Sequence, residues 1–194
     1  ISMSRTAIAW LDTDTLLYNT GEWALAAVHQ DGGTVRRVAQ MDSLGRTVAT
    51  IAALPGGVGA LIGTCTGGCT QSEVRSLDLT SGAVNVLSSE AINAWYAPTG
   101  DVVLVRRDGG VFTAPFDMKT LKLRISPVPV FQGVRTAASR ADLAWSPSGV
   151  VIYALGSAEA ASMAEAVWVA RNGNITPIES GWSFMKSGNY GLSL

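Results

Sequence analysis

The sequence is short of charge. Asp, Glu, Lys and Arg make up 15% of its 194 residues, and the net charge is −1. So sparse a set argues against a disordered or highly solvated chain. With no basic excess there is no field to hold a phosphate backbone, so nucleic acid is not an expected partner. Long apolar runs are missing as well. Stretches such as Val102–Val105 fall far below the roughly 20 residues of a membrane helix, and no membrane contact is expected of this segment. Histidine occurs once, at His29, and cysteine twice, at Cys65 and Cys69. Any Ser-His-Asp system would have to use His29. No Gly-x-Ser-x-Gly elbow accompanies it, because Gly181–Met185 lacks the second glycine. A zinc site wants three or four clustered ligands, more than two Cys and a lone His supply. Asp12-Thr13-Asp14 lacks the rest of a calcium loop and reads as an Asx turn. Leu54–Gly59 is rich in glycine but has no Gly-Lys-Ser/Thr and leads into a strand, unlike a phosphate loop. The chain reads as a non-enzyme with no catalytic residue, cofactor or metal.

What the sequence does have is a repeat. "AIAWLDTDTLLYNT" from Ala7, "ATIAALPGGVGALIGT" from Ala49, "INAWYAPTGDVVLV" from Ile92 and "DLAWSPSGVVIYALG" from Asp142 are each an apolar strand, a turn and a second strand. The turn anchor steps from Asp12 to Pro55, Pro98 and Pro147, at intervals of 43, 43 and 49 residues. A period of about 40–45 residues with several strands per unit is the mark of propeller blades. The second half of each unit reads as two more strands. Gly32-Gly33, Ser81-Gly82 and Asn172-Gly173 supply the positive φ that tight hairpins require, whereas the third unit has a longer hairpin without Gly at that place.

The expected fold is all-β: a β-propeller of four antiparallel four-stranded blades over about 5–41, 47–89, 90–132 and 138–180. Residues 189–194 read as the first strand of a fifth. The whole chain forms one partial-propeller domain, a segment of a larger ring. Stacked blades bury both strand faces, which explains the high apolar content of 47%. Trp10, Trp95 and Trp145 stand just before their turns and read as inter-blade packing residues, with an aromatic ligand box as the other reading.

The turns "WSPSG" at Trp145–Gly149 and "YAPTG" at Tyr96–Gly100 resemble the W-S-P-D-G turn of TolB-like, WD40-like bacterial propellers. Gly109–Val134 is similar to a stretch of the propeller domain attached to some bacterial serine/threonine protein kinases, through Phe112, Pro115, Phe116, Asp117, Leu121, Pro127, Val128, Pro129, Val130, Gly133 and Val134. The chain departs from the pattern where the usual Asp is Thr99, Ser148 or Gly56. The resemblance implies a sensory or protein-binding module rather than a catalyst, and a periplasmic or extracellular setting. In that setting Cys65 and Cys69, which bracket a Thr-Gly-Gly turn, are a possible disulfide, with free thiols the alternative.

Propellers gather functional groups on the loops between blades and between second and third strands. By that placement the candidate ligand- or partner-binding residues are Glu22, Trp23, Arg46, Glu90, Asn93, Arg135, Arg140, Asp142 and Trp182. The expected partner is a protein, a peptide or a second copy of the chain. Self-association is expected because the first blade offers Ile8, Trp10, Leu16, Leu17, Ala24, Leu25 and Val28, and the fourth Val150–Leu155 and Val167–Val169, with no visibly polar outer face. Two other readings stand beside this one: the propeller part of a peptidase or glycan-acting enzyme whose catalytic domain lies elsewhere, and a gene fragment that folds by self-association without a job of its own.

Overall fold

Short apolar strands parted by Gly-, Pro- and Asp-bearing turns fold into antiparallel hairpins, and the computed structural model is accordingly all-β. It describes residues 7–11, 14–20, 24–40, 46–137, 139–146, 150–156, 163–165, 167–169, 174–177 and 183–185. They fall in two compact units, Ile1–Leu155 and Gly156–Leu194.

In the first unit, β1 (Ile8–Leu11), β2 (Thr15–Asn19), β3 (Ala24–His29) and β4 (Arg36–Gln40) form a four-stranded antiparallel sheet in chain order. A second such sheet holds β5 (Thr47–Ala53), β6 (Gly59–Thr66), β7 (Gln71–Asp78) and β8 (Val84–Ser88). The third runs through β9 (Ala91–Tyr96), β10 (Asp101–Arg106) and β11 (Val111–Asp117). Its fourth place is shared on the β11 edge by β12 (Lys122–Leu123) and β13 (Val128–Phe131). Pro127, which has no N–H to give, lies in the break between them. These are the sheets expected over the first three repeats.

The fourth repeat differs. Short hairpins pair β14 (Thr136–Ala137) with β15 (Arg140–Ala141), and β16 (Leu143–Trp145) with β17 (Val151–Tyr153). In the second unit, β18 (Met163–Glu165) pairs with β21 (Ser183–Met185), and β19 (Val167–Val169) with β20 (Ile175–Pro177). Among the described residues, then, 138–180 holds separate hairpins and not one four-stranded sheet. Asp12, Asn172-Gly173 and the tail strand 189–194 lie outside the described residues.

Alternation along the strands builds one core in each space between sheets. On β6, Ala60 and Ile62 join Leu11, Leu17 and Leu25 of the first sheet, while Leu61 faces the other way. On β10, Val102 and Leu104 join Leu61 and Val74, while Val103 and Val105 pack with Leu143 and Val134. The middle sheets are therefore apolar on both faces, as period-2 alternation with two buried sides requires. Each fully buried Leu or Val contributes about 1.5–3 kcal/mol relative to exposure.

The tryptophans depart from expectation. Trp145 pairs with Val151 and Tyr96 with Val102, each the last pair before its turn, and Ala53 with Ala60 likewise. Trp95 is one residue earlier. A one-residue offset reverses the face, so Trp95 and Trp145 do not occupy equivalent places: they pack from opposite sides into the same core. Trp10 does share the frame of Trp145, yet it is 53% exposed. In that frame Ala53, Tyr96 and Trp145 all pack toward the preceding sheet. Among the described residues of the first unit no sheet packs on that face of the first sheet, and Ile8 is exposed there beside Trp10. Among the described residues of the first unit, then, Trp10 makes no inter-sheet packing contact in a core cluster.

Candidate functional site

The turn between β6 and β7 is closed by Cys65 and Cys69, which are joined as a disulfide with their Cα atoms 4.7 Å apart. Gly67 and Cys69 take positive φ, 57° and 69°, and the Thr70 N–H and hydroxyl both donate to the Gly67 carbonyl. Arg107, in the turn between β10 and β11, reaches across to this loop. It donates to the Cys69 carbonyl and, at 2.8 Å, to Ser72 Oγ. Between the two sheets lies a polar cleft of about 470 Å³, walled by Arg46, Glu73, Glu90, Arg107, Gln71 and Ser72 among others.

Ion pairs fix its charged groups. Glu73 Oε1 accepts from Arg46 Nη1 at 2.6 Å and from Arg75 Nη2 at 2.5 Å. Glu73 and Arg75 share a face of β7, being two residues apart, and both side chains are largely buried. Glu90 pairs with Arg106 at 2.8 Å, and the Arg106 guanidinium lies 4.0 Å from the Phe112 ring centroid, a cation–π distance. The cleft is thus a set of hydroxyl, amide and guanidinium donors beside carboxylate acceptors, held in place before any ligand arrives.

Of the residues singled out from sequence, Arg46 and Glu90 meet here. Asn93 is buried outside the cleft, and its Oδ1 accepts the Ala141 N–H at 3.1 Å, so it ties β15 to the third sheet. Arg135 and Asp142 pair with each other at 2.5 Å away from the cleft. Arg140, at the start of β15, is half-buried and already partnered. Glu22, Trp23 and Trp182 lie outside the described residues. Sequence reasoning missed Glu73, Arg75 and Arg107. The Glu-x-Arg spacing at 73–75 was the available signal for an ion pair on one strand face, but the third partner, Arg46, comes from a different loop.

His29 ends β3 on the surface, with Nε2 3.8 Å from Asp14 and Nδ1 3.3 Å from Asp31. Among the described residues no three His, Cys, Asp or Glu side chains gather as metal ligands, and no helix is long and apolar enough to cross a membrane. No family model matches the chain, and no curated protein matches it.

Proposed function

We propose that the chain is part of a TolB-like or WD40-like β-propeller and works as a non-catalytic binding module, its polar cleft receiving a segment of a protein or peptide partner. The observation that carries this reading is the cleft's construction. Its donors and acceptors come from β7, a hairpin turn and the connections between sheets, and are held by ion pairs, which lowers the ordering cost of binding. Serial stacking of meander sheets with first strands at matching places supports the propeller. The Cys65–Cys69 bridge favours an oxidising compartment, periplasmic or extracellular.

A displayed random-peptide library tests the binding role. Enriched peptides should compete for one site and lose binding on Arg107→Ala or Glu90→Ala. Enrichment indifferent to both substitutions would overturn the cleft as the site.

Self-association has an observation of its own. Ile8 and Trp10 are 57% and 53% exposed on a face that every later sheet in the first unit covers. A second copy that supplies a sheet to this face would complete the stacking.

A further inference from the structure

A second cavity, of about 520 Å³, opens at the opposite ends of the strands, where three first strands finish side by side. β5 brings Ala53 and the following Pro55, β9 brings Trp95 and Tyr96 with Pro98 beyond them, and β16 brings Trp145. Among the residues that line it none is charged. The size falls within the range of ligand pockets. Its aromatic rings converge because of the one-residue offset between Trp95 and Trp145, which turns the two indoles toward one core. The Trp145 Nε1–H is buried and, among the described residues, has no hydrogen-bond acceptor. Such a donor costs about 1–3 kcal/mol while unpaired.

We propose that this cavity is a binding site for an uncharged, proline-rich peptide segment in the polyproline II conformation. The wall excludes a charged ligand, since it offers no counter-charge to offset desolvation. It also suits a sugar poorly, because the ring hydroxyls of a sugar need a dense set of polar partners. Ser146 Oγ, for one, already accepts the Val150 N–H at 3.0 Å. A polyproline II segment matches on both counts. Its pyrrolidine rings are flat and apolar and pack on indole and phenol faces. Its carbonyls have no internal hydrogen bonds, so one of them can accept from the Trp145 N–H once the indole turns that group toward the cavity. Little chain entropy is lost because the ligand is already extended.

The site is separate from the polar cleft, so its test stands apart from the binding role proposed above. Acetylated, amidated hexaproline is titrated into the full chain and followed by tryptophan fluorescence and calorimetry. A Gly-Ser peptide of equal length and a linear oligosaccharide serve as the other arms. The expected result is saturable binding of hexaproline alone. Trp145→Phe, which keeps a ring and removes the N–H, should weaken binding by roughly 2–12-fold, the equivalent of one ordinary hydrogen bond. Pro98→Glu, at an exposed turn position that leaves the core intact, should weaken it further by placing a charge in the wall. Failure of hexaproline to bind at millimolar concentration overturns the proposal. So does equal binding of the Gly-Ser peptide, tighter binding of the oligosaccharide, or indifference to both substitutions in variants that retain the wild-type circular dichroism.

Discussion

Leu121 occupies a backbone conformation that most side chains avoid, with φ +53°. The reason lies in a repeated turn. In Asp78–Gly82 and in Asp117–Leu121, the Asp Oδ1 accepts backbone N–H groups two and three residues on, and the fifth residue's N–H donates to the Asp carbonyl. The fifth place needs a left-handed residue. Gly82 meets that need freely, at φ +74°. Leu121 meets it because its side chain is 4% exposed in the core between the second and third sheets, and because its carbonyl accepts Ser76 Oγ–H at 2.6 Å. Leu121→Gly relieves about 1–2 kcal/mol of backbone strain and removes burial worth about 2–5 kcal/mol. The expected net is a loss of about 1–3 kcal/mol in denaturant unfolding, and a gain in stability would refute this balance. The two Asp carboxylates are held below their usual pKa, Asp78 chiefly by the Ser81 and Thr80 N–H groups and Asp117 chiefly by that of Lys119. A depressed folded-state pKa stabilises above the unfolded value of about 3.9. That contribution disappears as pH falls from about 4 through the folded value. Melting temperature should therefore drop over this acid window, and Asp78→Asn with Asp117→Asn should flatten the slope. An identical slope in the double variant would exclude these turns as its source.

At the level of elements, the approach of β6 to β9 sets how closely the second and third sheets stack. A Cβ on Gly63 would lie 2.5 Å from the Ile92 carbonyl oxygen and 2.3 Å from Thr50 Oγ1. The first of these is backbone and cannot step aside, so Gly63→Val must part the sheets. The expected cost is about 3 kcal/mol, at the upper end of ordinary overpacking. A melting temperature within error of wild type would mean that the sheets do not meet there. The β6–β7 turn is the other element with a distinct device. Closing so short a loop with a disulfide is worth about 2 kcal/mol in the chain-entropy account, and Arg107 is anchored on the same loop. Reduction, or Cys65→Ser with Cys69→Ser, should lower stability by about that amount. Mass measurement before and after alkylation checks the bond, and two freely alkylated thiols in oxidised protein would disprove it.

For the whole molecule, the question is what covers the first sheet. A stacked array needs a polar outer face or a neighbour at its end, and Ile8 and Trp10 provide no such polar face. Light scattering behind a sizing column should report a dimer or larger assembly, and Trp10→Glu should return it to a single chain. A stable monomer at high concentration would exclude obligate self-association and leave Trp10 as an ordinary exposed aromatic.

The repeat was legible without coordinates because strand, turn and strand are local matters. Alternating apolar residues, Gly at hairpin turns and Asp that folds back on its own backbone act over a few positions, and the first three sheets form where those signals lie. Even the relocation of Arg46 and Glu90 to one end follows from chain order, since both sit on connections between sheets. Other features depend on neighbours distant in sequence. Whether Trp95 and Trp145 face one another turns on a single residue of register, and the exposure of Trp10 depends on what packs on the outer face of its sheet. Glu73 became the centre of an ion-pair cluster only when another loop delivered Arg46. Asn93, a loop-edge polar group by sequence, proved to be a buried tie to Ala141. Local chemistry determined the strands and turns; the stacking of one sheet on the next decided which side chains meet, because burial and pairing are set by what packs across the gap.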